Sequence, residues 1–338
     1  MTHFLFLALL LISHLAFAES SSHLGFYPLS HLSIPPQVRG AAASVFQVLV
    51  PSPEGKSLNT FQLPSPEFTE LKKRFQNYKN MSITSRKMIA AQIDFCEQQS
   101  LKSCNIYLNA HAATGFSMNG IFWTNAHVVE SYFDQLKDLQ GPLLIFIFNQ
   151  NNELILNPLM DPVFLQKLPA MNERAQQRGT FYSEETDFVG FRLPKLIAPS
   201  LRAAALNDSI KLSHDLYMPG FPACTNCHES SESQDSNDLL DRSPFPNSSG
   251  HGLHLTHGPI LSLAAAASLL EIPLDSLTRL AGKGLMFLES DSRQGMSGAP
   301  ILNSQGQVIG IFSGGKTKYK NGTLTRVSRG VRAQQLLN

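Results

Sequence analysis

The stretch Asp291-Ser292-Arg293-Gln294-Gly295-Met296-Ser297-Gly298-Ala299-Pro300 constrains this chain more than any other. A serine hydroxyl is a poor nucleophile until a base takes its proton and backbone N–H groups await the oxyanion. Gly-x-Ser-Gly in a tight turn meets the second need: Gly295 lacks a Cβ, so its N–H and that of Ser297 can point into one concavity. Gly298 and Ala299 are small enough to keep the space behind the hydroxyl open. A Gly/Ser turn alone is most often structural. This one runs straight into Pro300-Ile301-Leu302, Asn303-Ser304-Gln305-Gly306 and Gln307-Val308-Ile309-Gly310-Ile311-Phe312, the pattern of a β-hairpin.

Two further stretches lie upstream: Trp123-Thr124-Asn125-Ala126-His127-Val128-Val129, and Glu185-Thr186-Asp187-Phe188-Val189-Gly190-Phe191. The three together, in the order His, Asp, Ser, resemble the trypsin-like (chymotrypsin-fold) serine protease superfamily over roughly residues 40–335. The resemblance implies an all-β fold of two six-stranded antiparallel β-barrels, with helical insertions and a C-terminal helix. It also implies a serine endopeptidase in which Ser297 attacks a peptide carbonyl, His127 serves as general base and then acid, and Asp187 orients the imidazole. Asp187 is preferred to Glu184 and Glu185 because it directly precedes the apolar strand. Gly295 and Ser297 would form the oxyanion hole, and Ser313-Gly314-Gly315 the edge on which substrate backbone docks. Asp291 stands where trypsin-type enzymes place the acid of the primary specificity pocket, implying cleavage after Arg or Lys; its other use is to cap the loop.

The departures from the family pattern are informative. Met296 precedes the nucleophile where digestive members carry an Asp that pairs with a newly cut amino terminus, so activation by that route is not expected. Residues 297–315 resemble the glutamyl endopeptidase and trypsin-like peptidase branches of bacterial type without a gap. The first of these branches carries a substrate-reading His where this chain has Phe312.

The chain has 338 residues, 43% hydrophobic and 16% charged, with net charge +1, which is ample for a large core. The absence of a Lys/Arg cluster argues against nucleic acid as a partner; protein or peptide substrates, a monomeric state and no cofactor are expected. Residues 4–17 form an apolar run ending in Ala16-Phe17-Ala18, read as an export signal over 1–18, too short for a membrane anchor. The expected location is secreted or periplasmic. Residues 19–40 read as an extended leader, either a pro-segment or a strap, before a protease domain over 41–338 with barrels at about 41–197 and 205–331.

Four cysteines in an exported chain suggest disulfides, and proximity pairs Cys96 with Cys104 and Cys224 with Cys227, although four cysteines permit three connectivities. Two rivals compete for the second pair. Cys224-Thr-Asn-Cys227-His228 matches the c-type haem attachment pattern, and these residues with His251, His254 and His257 could hold zinc. A third reading of the whole chain is a protease-like binding protein that has lost turnover.

The remaining patterns place elements. Ala43–Val50 alternates as a first strand, and residues 67–103 carry helical spacing inside the first barrel. Asn119-Gly120 turns a hairpin that delivers His127, and residues 143–156 form another. Residues 229–250 read as a surface loop, Leu253–Leu263 as a strand, Ala264–Leu280 as a second helical insertion, Gly284–Leu288 as a strand and Arg332–Leu337 as a closing helix.

Overall fold

The structure is a computed structural model, and it describes residues 27–31, 33–51, 58–65, 68–69, 72–73, 83–119, 121–128, 146–150, 154–156, 187–192, 215–222, 252–292, 295–320 and 323–333. Fourteen strands lie in this part: β1 (Tyr27–Pro28), β2 (Val45–Pro51), β3 (Leu58–Pro64), β4 (Ser103–Met118), β5 (Ile121–Thr124), β6 (Phe146–Phe148), β7 (Leu154–Leu156), β8 (Val189–Arg192), β9 (Asp215–Gly220), β10 (His254–Pro259), β11 (Leu285–Glu289), β12 (Pro300–Leu302), β13 (Val308–Lys320) and β14 (Thr323–Arg332). The helices are α1 (Pro36–Ala41), α2 (Ile83–Gln98), α3 (Leu263–Leu270) and α4 (Leu274–Gly282).

The strands form two antiparallel sheets, one from each half of the chain except that β1 joins the second, as expected for the all-β chymotrypsin-like class. The first has the order β7-β6-β2-β4-β5-β8, with β3 paired to the early part of β4. Alternation along β2 sets Val48 and Val50 against residues of β4 in unbroken register, and Met118↔Ile121 closes the Asn119-Gly120 hairpin on two residues. Asn119 takes φ 53°, the left-handed conformation that this type of turn demands and that Asn tolerates.

The second sheet has the order β1-β10-β9-β12-β13-β14-β11. Just past β10 the chain bridges back to β11 at Ile260↔Leu288, and the Leu261 N–H donates to the Phe287 carbonyl at 2.9 Å. Six strands thereby close on themselves and β1, from the leader, adds a seventh. The expected six-stranded barrel is thus present here with one strand more, and the first sheet also carries a seventh strand, β3.

The described leader residues, 27–31 and 33–40, and residues 41–44 after them therefore pack as part of the fold. Tyr27 pairs with Leu255, and its ring packs 5.3 Å from that of His257, which in turn lies 5.7 Å from Tyr217. Burial first, and the charge of Asp215 second, hold the Tyr217 hydroxyl above its ordinary pKa. Beyond β1 the leader is not extended: Pro36, with its preset φ and no N–H to waste, opens α1. Ile34, Val38 and Ala42 of this segment share one core cluster with Phe116 and Trp123 of the first sheet and Leu302 and Val331 of the second.

The first helical insertion is α2, between β3 and β4. It is tied to β4 by the Cys96–Cys104 disulfide and by the Gln92 amide, whose Oε1 accepts the Tyr107 N–H at 2.7 Å. Ile89 and Ile93, one turn apart, are fully buried. The second insertion is two helices rather than one. Glu271 ends α3 in the left-handed conformation, φ 53°, and Pro273 starts α4, so the Pro within the pattern divides it. Both pack on Phe287 and Val327. The strand at 253–263 stops at Pro259, and Arg332, expected to open a helix, is the last residue of β14; residues 334–338 lie outside the described residues. The β13/β14 hairpin was not anticipated, although Lys320↔Thr323 flanks an Asn321-Gly322 pair. Residues 1–18, the 194–205 linker and the 229–250 loop also lie outside the described residues.

Because Ile34 sits at 2% exposure where leader and both sheets meet, Ile34→Ala should lower unfolding free energy by about 2–5 kcal/mol. Denaturant titration of wild type and variant measures this. A change below about 0.5 kcal/mol would mean that the leader is not part of the folded core.

Candidate active site

Each of the three stretches singled out in the sequence is held by its own strand. β5 ends at Thr124, and Asn125 leads into a helical turn, Ala126–Val128, that presents His127. Ala126 and Val128 are buried while His127 faces out, with 39% of its side chain exposed. Asp187 stands two residues before β8, which pairs with β5 from Thr124↔Val189 onward. That pairing brings the acid beside the histidine. Asp187 Oδ2 lies 2.8 Å and Oδ1 3.0 Å from His127 Nδ1, and Oδ1 also accepts the His127 backbone N–H at 3.1 Å. Asn125 Nδ2 donates to the Asp187 carbonyl at 2.6 Å, so both ends of the acid are fixed. The Asp187 side chain is only 11% exposed, in keeping with a carboxylate that holds the Nδ1–H tautomer and leaves Nε2 outward.

The serine turn belongs to the other sheet, between β11 and β12. Gly295 and Gly298 adopt φ 93° and 89°, and a Cβ on Gly298 would collide with the Thr114 carbonyl oxygen. Gly298 N–H donates to the Phe312 carbonyl at 3.0 Å, and Phe312 N–H to the Ala299 carbonyl at 2.8 Å, which seats the turn against β13. Met296 is fully buried among Met218, Ile301 and Phe312, so it fills the core under Ser297.

The two sheets are spliced at Thr114, a residue that sequence reasoning passed over. Its N–H donates to the Ser297 carbonyl at 2.8 Å, and its Oγ1 donates to the Gly295 carbonyl at 2.8 Å while accepting the Phe221 N–H at 3.0 Å. Its own carbonyl accepts the Thr124 hydroxyl at 2.8 Å, three residues before His127. Thr114 thus fixes the serine turn relative to the strand that carries the histidine. No periodicity distinguishes such a threonine from any buried β-branched residue of an alternating strand.

Asp291 is buried at 2% exposure, and its carboxylate is engaged within the protein: Oδ1 accepts the Ser292 N–H at 2.9 Å and Oδ2 is ion-paired with Arg326 of β14. Ser313 is also buried; its Oγ accepts from Arg329 Nε at 3.2 Å. Gly314 and Gly315 continue β13 toward solvent, and β12 flanks β13 only as far as Ile311. Cys224, Cys227, His228 and His251 lie outside the described residues. His254 Nδ1 lies 2.8 Å from the Gly252 carbonyl and His257 Nδ1 3.2 Å from Asp215; among the described residues no three His, Cys, Asp or Glu converge as metal ligands.

Thr114→Val keeps the shape but removes the hydroxyl, leaving Gly295 O and Phe221 N–H buried without that partner. It should destabilise the fold by about 1–3 kcal/mol and slow turnover of any substrate, whereas Thr114→Ser should restore most of both. Denaturant titration beside single-turnover rates checks this; a Val variant as active as wild type would remove Thr114 from the site.

Against known proteins, the model of the trypsin-like peptidase domain matches residues 113–311. No curated protein matches the sequence. Among solved structures, the inactive form of Rv3671c from M. tuberculosis is similar at 14% identity, covering 90% of this chain and 87% of that one, with a TM-score of 0.40. The active form of that protease gives 13% identity, 92% and 88% coverage and 0.37. The HtrA-type protease AlgW, solved with a decapeptide, gives 12% identity, 89% and 63% coverage and 0.40.

Proposed function

Since the chain belongs to the trypsin-like peptidase family, we propose that it is an exported serine endopeptidase working through His127, Asp187 and Ser297. The observation that carries this reading is the His127–Asp187 pair, 2.8 Å apart through Nδ1, just beyond the end of β5, whose Thr124 is bonded to Thr114 and through it to the serine turn. Ser297 Oγ attacks the scissile carbonyl carbon while His127 Nε2 takes its proton. The negative oxygen of the tetrahedral intermediate receives the N–H groups of Gly295 and Ser297. Collapse breaks the C–N bond, and the imidazolium returns its proton to the leaving amine. Water, deprotonated by the same histidine, then hydrolyses the acyl-enzyme. Asp187 keeps the ring in the tautomer that can accept at Nε2 and offsets the charge it gains.

Substrate backbone adds to the edge at Ser313–Gly315, where β13 runs on past its neighbour β12. Export draws support from the Cys96–Cys104 disulfide, a bond that persists in oxidising compartments. No described helix is long and apolar enough to cross a membrane. The oxyanion role of Gly295 finds support in its positive φ, which a side chain would oppose.

A fluorophosphonate probe should label the purified protein and fail on Ser297→Ala. Asp187→Asn, which offers the wrong hydrogen-bond partner to Nδ1, should cut turnover of a peptide substrate by on the order of 10⁴-fold. Wild-type protein that is folded by circular dichroism and unlabelled would overturn the reading.

A further inference from the structure

The insertion between β3 and the body of β4 leaves apolar surface uncovered. Of the six large apolar side chains that are exposed among the described residues, Ile83, Met88, Phe95, Leu101 and Tyr107 lie on α2, on the turn after it or at the start of β4. Scattered singly, exposed apolar residues need no explanation; five of six on one insertion do. Along α2, Ile89, Ile93 and Cys96 are buried against the fold, whereas Met88, Ala91 and Phe95, spaced i, i+3, i+7, form an exposed stripe on the other side. Phe95 is 60% exposed. A helix that is apolar on two sides calls for cover on both. The stripe also stands on a fixed support: the Cys96–Cys104 disulfide ties α2 to β4, and the Gln92 side chain bonds both the N–H and the carbonyl of Tyr107.

Positive charge accompanies the stripe. Residues 65–102, which join β3 to β4, hold seven Lys/Arg and four Asp/Glu, net +3, so the rest of a chain of net +1 sums to −2. The two acids of α2 share one counter-charge from the preceding segment: Lys72 is ion-paired with Asp94 and lies 3.8 Å from Glu97. Lys87, just before Met88, and Lys102, just after Leu101, are exposed. We propose that the outward face of α2 docks this protein on the surface of an anionic phospholipid bilayer, with Met88 and Phe95 entering the headgroup boundary and Lys87 and Lys102 meeting lipid phosphates. A helix lying on a bilayer uses this combination, bulky apolar groups for burial and cations for the negative surface. A second copy of the chain fits the face less well. Pairing about a two-fold axis would bring together two segments of net +3, and like charges across an interface oppose association. Docking of this kind does not depend on the reaction at Ser297.

The test is co-sedimentation of the full chain with vesicles of phosphatidylcholine, with and without phosphatidylglycerol, at low and high salt. Wild type should partition onto the anionic vesicles about tenfold or more tightly than onto the neutral ones, and high salt should remove that preference. Met88→Gln with Phe95→Gln should weaken binding to anionic vesicles about tenfold. Lys87→Gln with Lys102→Gln should bring the two kinds of vesicle within about threefold of each other. Every protein compared carries residues 1–18, an apolar run without Lys or Arg, so the differences among them read the α2 face. All four substituted positions are exposed, and circular dichroism should match wild type. Equal binding of wild type to both kinds of vesicle, or binding that either double variant leaves unchanged, would refute the assignment. A wild-type dimer in sedimentation equilibrium that Met88→Gln with Phe95→Gln dissolves would also refute it and give the face to a second copy.

Discussion

Everything in the candidate site depends on how two separately built sheets are held in register, and that task falls on the backbone and hydroxyl of Thr114. A nucleophile displaced by about 1 Å from its base can lose two orders of magnitude in rate. Hydrophobic contact between sheets is non-directional and cannot by itself enforce such a tolerance. Directional bonds can. Thr114 makes bonds to the carbonyls of Gly295 and Ser297, to the N–H of Phe221 and to the hydroxyl of Thr124, and both threonines are fully buried. The positive φ of Gly298 and the missing Cβ there exist so that this strand can come close. The glycine of the motif thus answers a strand 184 positions earlier in the chain as much as it serves the serine beside it.

The core beneath this junction has a matching division of labour. Met296, at the position where a charged residue would serve an activation switch, is apolar and packed with Met218 and Ile301. The amino-terminal part of the chain is used differently here: Ile34 and Val38 fill the space where both sheets meet, and β1 extends the second barrel. A leader with those contacts contributes apolar burial to the folded state.

What could be read from the sequence follows from how far apart the interacting residues lie. Local signals were legible: alternation located β2, Gly284–Leu288 read as the strand that is β11, the Asn119-Gly120 pair gave the hairpin before His127, and helical spacing gave α2. The His127–Asp187 partnership was readable because the family motif records a distant contact. Where no motif does so, the sequence is silent. Thr114 and Arg326 look like any strand residues until β4 is laid against the serine turn and β14 against Asp291. Two local signals were present and passed over: the Asn321-Gly322 pair between the residues of β13 and β14 in the sequence, and Pro273, which splits one helical pattern into two. The leader gave no usable period, since its described elements are two residues of strand and six of helix, each packed against distant partners.

Asp291 shows why a matched position is weaker evidence than a matched environment. An acid at that point of the loop selects a basic substrate only if the surrounding walls leave its charge uncompensated. Here β14 supplies Arg326 from the opposite wall, and the Ser292 N–H satisfies the second oxygen. A buried ion pair of this kind is weak evidence of net stabilisation, because desolvation of two charges offsets most of their attraction. With the carboxylate satisfied from within and the cation the more exposed partner, the surroundings of Asp291 are set by Arg326, a residue 35 positions downstream of the loop on which the family pattern would have it read.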